Sequence, residues 1–202
     1  MAQAIPRRLR YDAGAMPPGR VFLLRHAQST FNASWDATGV DPGEIDAPLT
    51  DAGHAQVASV ASMVRALEVE LVIASPTTRA LQTVAGIYGS SRDVPPLLLE
   101  PLLRDRLVDS CDFGRSPAEL AVAFPSVDFG QLADNWWLPH DDDGGDGPPL
   151  ESREAFAVRI ATLRSRLLAR SERSLLVVGH RGTFQRLAGI HVDNCQLVEW
   201  SL

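Results

Sequence analysis

The chain has 202 residues, 45% of them hydrophobic and 22% charged, with a formal net charge of −6. These values suit one globular domain with a single core. The acidic balance argues against a nucleic-acid or anionic-membrane partner, and no apolar run approaches the roughly 20 residues that span a bilayer.

Phosphate stays open as a ligand, because local cations rather than bulk charge decide what a pocket holds. Met1 to Arg20 carries Arg7, Arg8 and Arg10, followed by Tyr11, Asp12 and Gly14. Without an apolar stretch neither a secretory nor a twin-arginine signal is expected, and the reading is a flexible tail over 1–19. A single domain over 20–202 then follows. Two cysteines, Cys111 and Cys195, are too few for a disulfide scaffold and wrongly patterned for structural zinc. Reduced thiols in a cytoplasmic protein are expected. Nothing in the sequence sets the number of subunits.

In chain order, Val21–Leu24 is an apolar run after Pro17, Pro18 and Gly19, as in a buried strand. Ala33 to Pro48 reads as a loop. Thr50 caps a helix predicted to run to about Leu67, with Val57, Val60, Ala61 and Val64 on one stripe. Leu71–Ala74 is a second buried strand, and Thr77–Tyr88 a helix stopped by Gly89. Val94–Leu99 is an edge strand or an extended loop, given Pro95 and Pro96. A loop-rich insertion is expected around 107–150. Within it Ser116, Pro117 and Glu119 open a short helix. Trp136 to Pro149 holds Asp141, Asp142, Asp143 and Asp146 among glycines and prolines. It lacks the closing glutamate of a calcium loop, so a solvated loop is expected. Glu151–Arg170 is an amphipathic helix with Phe156, Ile160, Leu163 and Leu167 inward. Ser174–Val178 is a third strand, Arg181–Ala188 a helix, and Gln196–Leu202 a candidate edge strand. The alternation predicts an α/β fold with a mostly parallel sheet.

The chemistry-bearing residues follow the strands. Arg25 and His26 stand where the first strand stops, His180 follows the third, and Arg79 lies in the helix entered after the second. Ligands of open α/β sheets bind at the carboxyl ends of strands. Each feature alone is commonplace, but together they offer a phosphate two fork-shaped cations, a helix N-terminus and a nucleophilic imidazole.

Arg25-His26-Ala27 with Asn32 resembles the Arg-His-Gly…Asn signature of the histidine phosphatase superfamily, the phosphoglycerate-mutase-like fold. Asp46-Ala-Pro-Leu-Thr-Asp-Ala-Gly53, Ser75-Pro76…Arg79-Ala-Leu-Gln-Thr83 and Gly179-His180 resemble later motifs of that family, in order. The resemblance runs from about Val21 to the C-terminus. It implies a three-layer sandwich with helices on both faces of the sheet, and a phosphoric monoester hydrolase of the histidine acid phosphatase type. His26 would form a phosphohistidine, and Arg25, Arg79 and His180 would bind the non-bridging oxygens. Asn32 would add a hydrogen bond, and no metal or other cofactor would be needed.

The family's usual acid is a glutamate after a Leu-Arg lead-in. Here Leu103-Arg104-Asp105 occupies that place, which makes Asp105 the candidate, with Glu100, Asp109 and Asp112 as competitors. Asp105 could instead tether its loop through Arg104 or Arg106. Ala27 replaces a glycine. Arg181 follows the second histidine, either toward a second anionic group of the ligand or toward solvent. Trp35, Trp136 and Trp137 could wall or cover the pocket, or pack in loops. The Asp141–Asp146 run would favour a substrate with one phosphate and a neutral or cationic remainder. Ser110-Cys-Asp-Phe-Gly114 resembles a stretch in some bacterial and plant family members. The expected partner is a small phosphorylated metabolite or a phosphopeptide. A mutase-type phosphotransferase and a non-catalytic phosphate- or phosphopeptide-binding module remain as alternatives.

Overall fold

The computed structural model describes residues 19–89, 91–138 and 150–201. The expected N-terminal tail, apart from Gly19 itself, and the Asp141–Asp146 run lie outside these residues.

Five strands form one sheet: β1 (Arg20–Arg25), β2 (Leu71–Ala74), β3 (Leu97–Leu99), β4 (Ser174–Gly179) and β5 (Leu197–Trp200). Their order is β3-β2-β4-β1-β5. All pairings are parallel except β1 with β5, which is antiparallel at the edge. Helices α1 (Thr30–Thr38), α2 (Asp51–Arg65), α3 (Thr78–Tyr88), α4 (Pro117–Ala123), α5 (Arg153–Leu168) and α6 (Arg181–Ala188) complete the fold.

The side-chain alternation of β1 explains the layering. Phe22 and Leu24 pack with Val57, Val64, Val84 and Ile87 of α2 and α3. Val21 and Leu23 pack on the opposite face with Ile160, Leu163, Phe184 and Leu187 of α5 and α6. Each such side chain, nearly fully buried, contributes about 1.5–3 kcal/mol of transfer free energy. The strands therefore had to be apolar on both faces, which is why they read as short continuous runs.

The expected elements occupy their places, with ends shifted by at most three residues. Thr50 caps α2 by accepting from the Gly53 N–H at 2.9 Å. Ser116 and Glu119 form the expected reciprocal cap of α4. The prolines confine β3 to Leu97–Leu99, and the Pro96 carbonyl accepts from the Val72 N–H.

One correction concerns Ala33 to Pro48. Its first third is helical, because Ser29 and Asn32 form a reciprocal cap and Gly39, at φ 67°, closes the helix. Only Phe31 of that helix is buried, so no apolar stripe announced it. A short cluster of Leu81, Leu120, Phe129 and Trp136, with Trp137 against it, lies beside the main core. Trp136 donates its indole N–H to the Arg115 carbonyl and meets Trp137 edge-on. Both tryptophans therefore pack within the 107–138 segment rather than walling the pocket.

Candidate active site

The strand register brings the reactive residues together. Arg25 pairs with Gly179 across β1 and β4, and Ala74 with Val178 across β2 and β4. The next residues are His26, His180 and Ser75. The His26 N–H donates to the Gly179 carbonyl at 2.9 Å, and the Ser75 N–H to the Val178 carbonyl at 3.0 Å. The two imidazoles end with centroids 5.1 Å apart, and both residues are buried.

The tautomer of His26 follows from one contact. Its Nδ1 lies 2.7 Å from the Ala27 carbonyl oxygen, which can only accept, so Nδ1 carries the proton. In the neutral ring the lone pair is then on Nε2. Burial, followed by the Arg79 and Arg25 charges, holds His26 well below its ordinary pKa. The ring is neutral at pH 7, as a nucleophile must be. His180 is lowered for the same first reason and by the charge of Arg79. Its Nε2 meets the Ser75 hydroxyl at 3.0 Å, while Nδ1 is buried without a protein partner among the described residues.

Arg25 and Arg79 are almost wholly buried. Arg25 donates to the Val192 carbonyl at 3.3 Å, and its Nε has no partner among the described residues. Burial, helped by Arg181, pushes it down to about 10, still cationic at neutral pH. Arg79 donates to the Cys111 carbonyl at 2.7 Å and pairs with Asp112 at 3.4 Å. The helix bearing Arg79 is anchored from outside. Thr77, its first capping position, makes no side-chain cap, and Asp46 accepts from the Thr78 N–H at 2.8 Å and from its hydroxyl. That accounts for Asp46 in the Asp46–Gly53 motif. Its Gly53 is needed because a Cβ would meet the Gln28 carbonyl oxygen at 2.2 Å.

These four residues line one cavity of about 1080 Å³, together with Asp105, Asp112, Asn32 and Arg181. Asp105 is half-buried. Its carboxylate accepts from the Arg106 N–H at 3.0 Å and from the Gly182 N–H at 3.3 Å, so it also caps α6 from a distant loop. A Cβ on residue 182 would meet its Oδ1 at 2.5 Å, so any larger residue there would displace the Asp105 carboxylate.

The surface tether through Arg104 is corrected. Arg104 is buried and binds Glu151 through both carboxylate oxygens at 3.1 Å. Arg159 binds the same Glu151 and donates to the carbonyls of Leu102, Arg104 and Asp105. This network, unread in the sequence, fixes the backbone that presents Asp105. The available signal was Arg159 alone, which falls on the inward stripe of α5 with Ile160 and Leu163.

Among the competing carboxylates, Glu100 is taken by Arg166 and the Leu102 N–H and does not line the cavity. Asp109 lines it, raised mainly by burial. Asp112 is raised to about 7 by burial and by Asp105, against the pull of Arg79. Its second oxygen accepts from the N–H groups of Val108 and Asp109, folding that loop under Arg79. The Asn32 amide oxygen accepts from the Ser29 N–H and from the Asn194 NH₂, and Asn32 lines the cavity. Asn194, also unread in the sequence, donates to the His26 carbonyl at 3.1 Å. Trp35 stacks on Phe31 and lines a smaller adjoining cavity of about 320 Å³ with Arg25 and Arg181.

Cys111 and Cys195 are buried free thiols. Among the described residues, no cluster of three or more His, Cys, Asp or Glu side chains could hold a metal ion, and no helix is long and apolar enough to cross a membrane.

The sequence profile of the histidine phosphatase superfamily (branch 1) matches residues 21–200. An Arabidopsis thaliana phosphoglycerate mutase-like protein is 28% identical over 88% of this chain and 82% of its own. The alpha-ribazole phosphatase of Shigella flexneri superposes with a TM-score of 0.61 at 20% identity, covering 89% of both chains. A mycobacterial glucosyl-3-phosphoglycerate phosphatase does so with a TM-score of 0.56 at 22% identity, covering 90% of this chain and 89% of its own. Both structures share the fold.

Proposed function

Because the chain belongs to the histidine phosphatase superfamily, we propose that it is a phosphoric monoester hydrolase that carries the phosphoryl group on His26, without a metal, in the cytoplasm. The observation that carries this reading is the Nδ1–H of His26 donated to the Ala27 carbonyl, which leaves a neutral Nε2 lone pair on a residue that shares its cavity with the buried Arg25 and Arg79. Nε2 attacks phosphorus in line with the ester oxygen. Arg25, Arg79 and His180 take the three non-bridging oxygens, replacing a metal clamp with fixed donors. Asn32 adds an N–H. The P–O bond breaks toward Asp105, which gives its proton to the leaving oxygen. Asp105 then takes a proton from the water that cleaves the P–N bond, and free phosphate and neutral His26 result.

Asp105 is favoured over Asp112 because Asp112 is buried and paired with Arg79, whereas Asp105 is half-buried and makes no ion pair among the described residues. Hydrolysis is favoured over mutase-type transfer because the cavity, at about 1080 Å³, extends from His26 to exposed residues of α5 and α6, so water reaches the phosphohistidine. The substrate class is a small phosphorylated metabolite or a phosphopeptide.

The test compares free phosphate released from aryl and sugar phosphates with isomerisation of 3-phosphoglycerate, in wild type and His26→Ala, with and without a chelator. Release that is lost in the variant and indifferent to chelator is expected. Abundant isomerisation with little release would favour the mutase, and binding without turnover the non-catalytic module.

A further inference from the structure

Six of the chain's 19 lysines and arginines line the large cavity around His26, in a protein whose net charge is −6. Two of them, Arg25 and Arg79, face the phosphoryl position. The other four, Arg106, Arg153, Arg181 and Arg186, make no ion pair with a described carboxylate. Their placement is regular. Arg181, Gly182, Gln185 and Arg186 form one face of α6, and Arg153, Phe156 and Ala157 one face of the first turns of α5. The cavity therefore continues from the histidine pair into a groove between two packed helices.

The acids along it do not cancel these charges. Asp105 is tied to the N–H groups of Arg106 and Gly182, and Asp112 to Arg79. Asp109 and Glu154 remain against four arginines. Arginine forks of this kind recognise carboxylate or phosphate in a planar, two-point manner.

Building on the phosphatase reading, we infer that the groove between α5 and α6 binds a second anionic group of the substrate through Arg153 and Arg186, with Arg181 bridging to the phosphoryl site. Helix geometry sets the spacing. Arg186 lies six residues beyond His180, about 9 Å along α6, and helical side chains lean back toward the N-terminus. The second group thus sits roughly 6–9 Å from the transferred phosphorus, the reach of a sugar or an aromatic ring. The ligand is a phosphomonoester bearing a carboxylate or a second phosphate at that separation. The described lining thereby opposes the neutral or cationic remainder expected from the Asp141–Asp146 run.

The test uses the full wild-type chain and non-hydrolysable probes. Binding of 4-carboxybenzylphosphonate is compared by calorimetry with that of its amide, 4-carbamoylbenzylphosphonate, and of 1,4-xylylene bisphosphonate. The charged probes are expected to bind about tenfold more tightly than the amide. That ratio falls to within about twofold in Arg153→Gln/Arg186→Gln, whose melting temperature and amide affinity report folding. Whichever charged probe binds more tightly identifies the second group as carboxylate or phosphate. Equal affinity of all three in wild type overturns the inference, as does a preference that survives in the double variant. Turnover of 4-carbamoylphenyl phosphate is measured alongside. Turnover without charge preference removes the groove alone, whereas charge preference without turnover removes the hydrolase reading and leaves the groove.

Discussion

The two walls of the active-site cavity are built differently. On one side Arg25, His26 and His180 extend directly from β1 and β4, and backbone hydrogen bonds across the sheet fix their spacing. On the other side Asp105, Asp109 and Asp112 sit on a segment with only short turns of helix. That segment is held by side chains, above all the Glu151, Arg104 and Arg159 network and the pairing of Asp112 with Arg79. The sheet wall is rigid because many buried apolar contacts and ladder bonds would have to break together. The loop wall depends on a few buried charges, each costly to strip of its partner. In the proposed mechanism attack belongs to the sheet, proton transfer to the loop, and Arg79 of α3 joins the two through Asp112.

Substitutions that separate the two walls sharpen this contrast. Arg79→Ala touches both, since it removes a proposed phosphate ligand and leaves Asp112 without its ion pair. It should lower kcat/KM by about 10³–10⁵ even for activated aryl esters, which Asp105→Asn largely spares. Asp105→Asn touches the loop wall only. A loss of about 10²–10⁴ is expected for alkyl phosphates and a far smaller one for activated aryl phosphates. Equal losses on both kinds of ester would move the acid elsewhere, with Asp112 next in line.

Arg159→Met tests whether the network acts through Asp105. It leaves Glu151 with a single buried partner and removes donors to three carbonyls, which should destabilise the protein by about 3–5 kcal/mol in urea unfolding. Its kinetic loss, about tenfold, should again fall on poor leaving groups. A uniform loss across leaving groups would mean that the whole cavity has shifted.

The smallest effect is in pH. His26 and His180 are neutral when folded, with pKa values well below 6.5, whereas the unfolded chain protonates its histidines near 6.5. Their contribution to stability is therefore complete above pH 6.5 and lost as pH falls toward their folded values. Wild type should lose melting temperature between pH 7 and 5 more steeply than His180→Gln. The acid limb of kcat/KM should likewise lie well below 6.5. A limb centred at 6.5 would contradict the buried, neutral nucleophile.

The same division explains how much was legible beforehand. The sheet wall was visible in the sequence because short apolar runs mark strands buried on both faces. A residue placed directly after such a run has its position set by the sheet, so Arg25, His26 and His180 converge as expected. The loop wall was less legible. Asp105 was named from its Leu-Arg lead-in, but nothing local shows that Arg104 turns inward to Glu151, 47 residues away. Asn194 and Asp46 were missed as positioning residues for the same reason, since their partners are backbone groups distant in sequence. Helix α1 escaped because it buries one side chain, and its signal lay only in the Ser29–Asn32 cap and Gly39.

The central claim is that the His26 Nε2 accepts the phosphoryl group. Rapid mixing with a fast aryl phosphate, an alkaline quench that preserves phosphohistidine, and peptide mapping by mass spectrometry test it directly. The account predicts one phosphoryl group on the peptide containing His26, formed and lost at rates that match turnover. Steady hydrolysis with no phosphoryl group on His26, or with one on another residue, would contradict it.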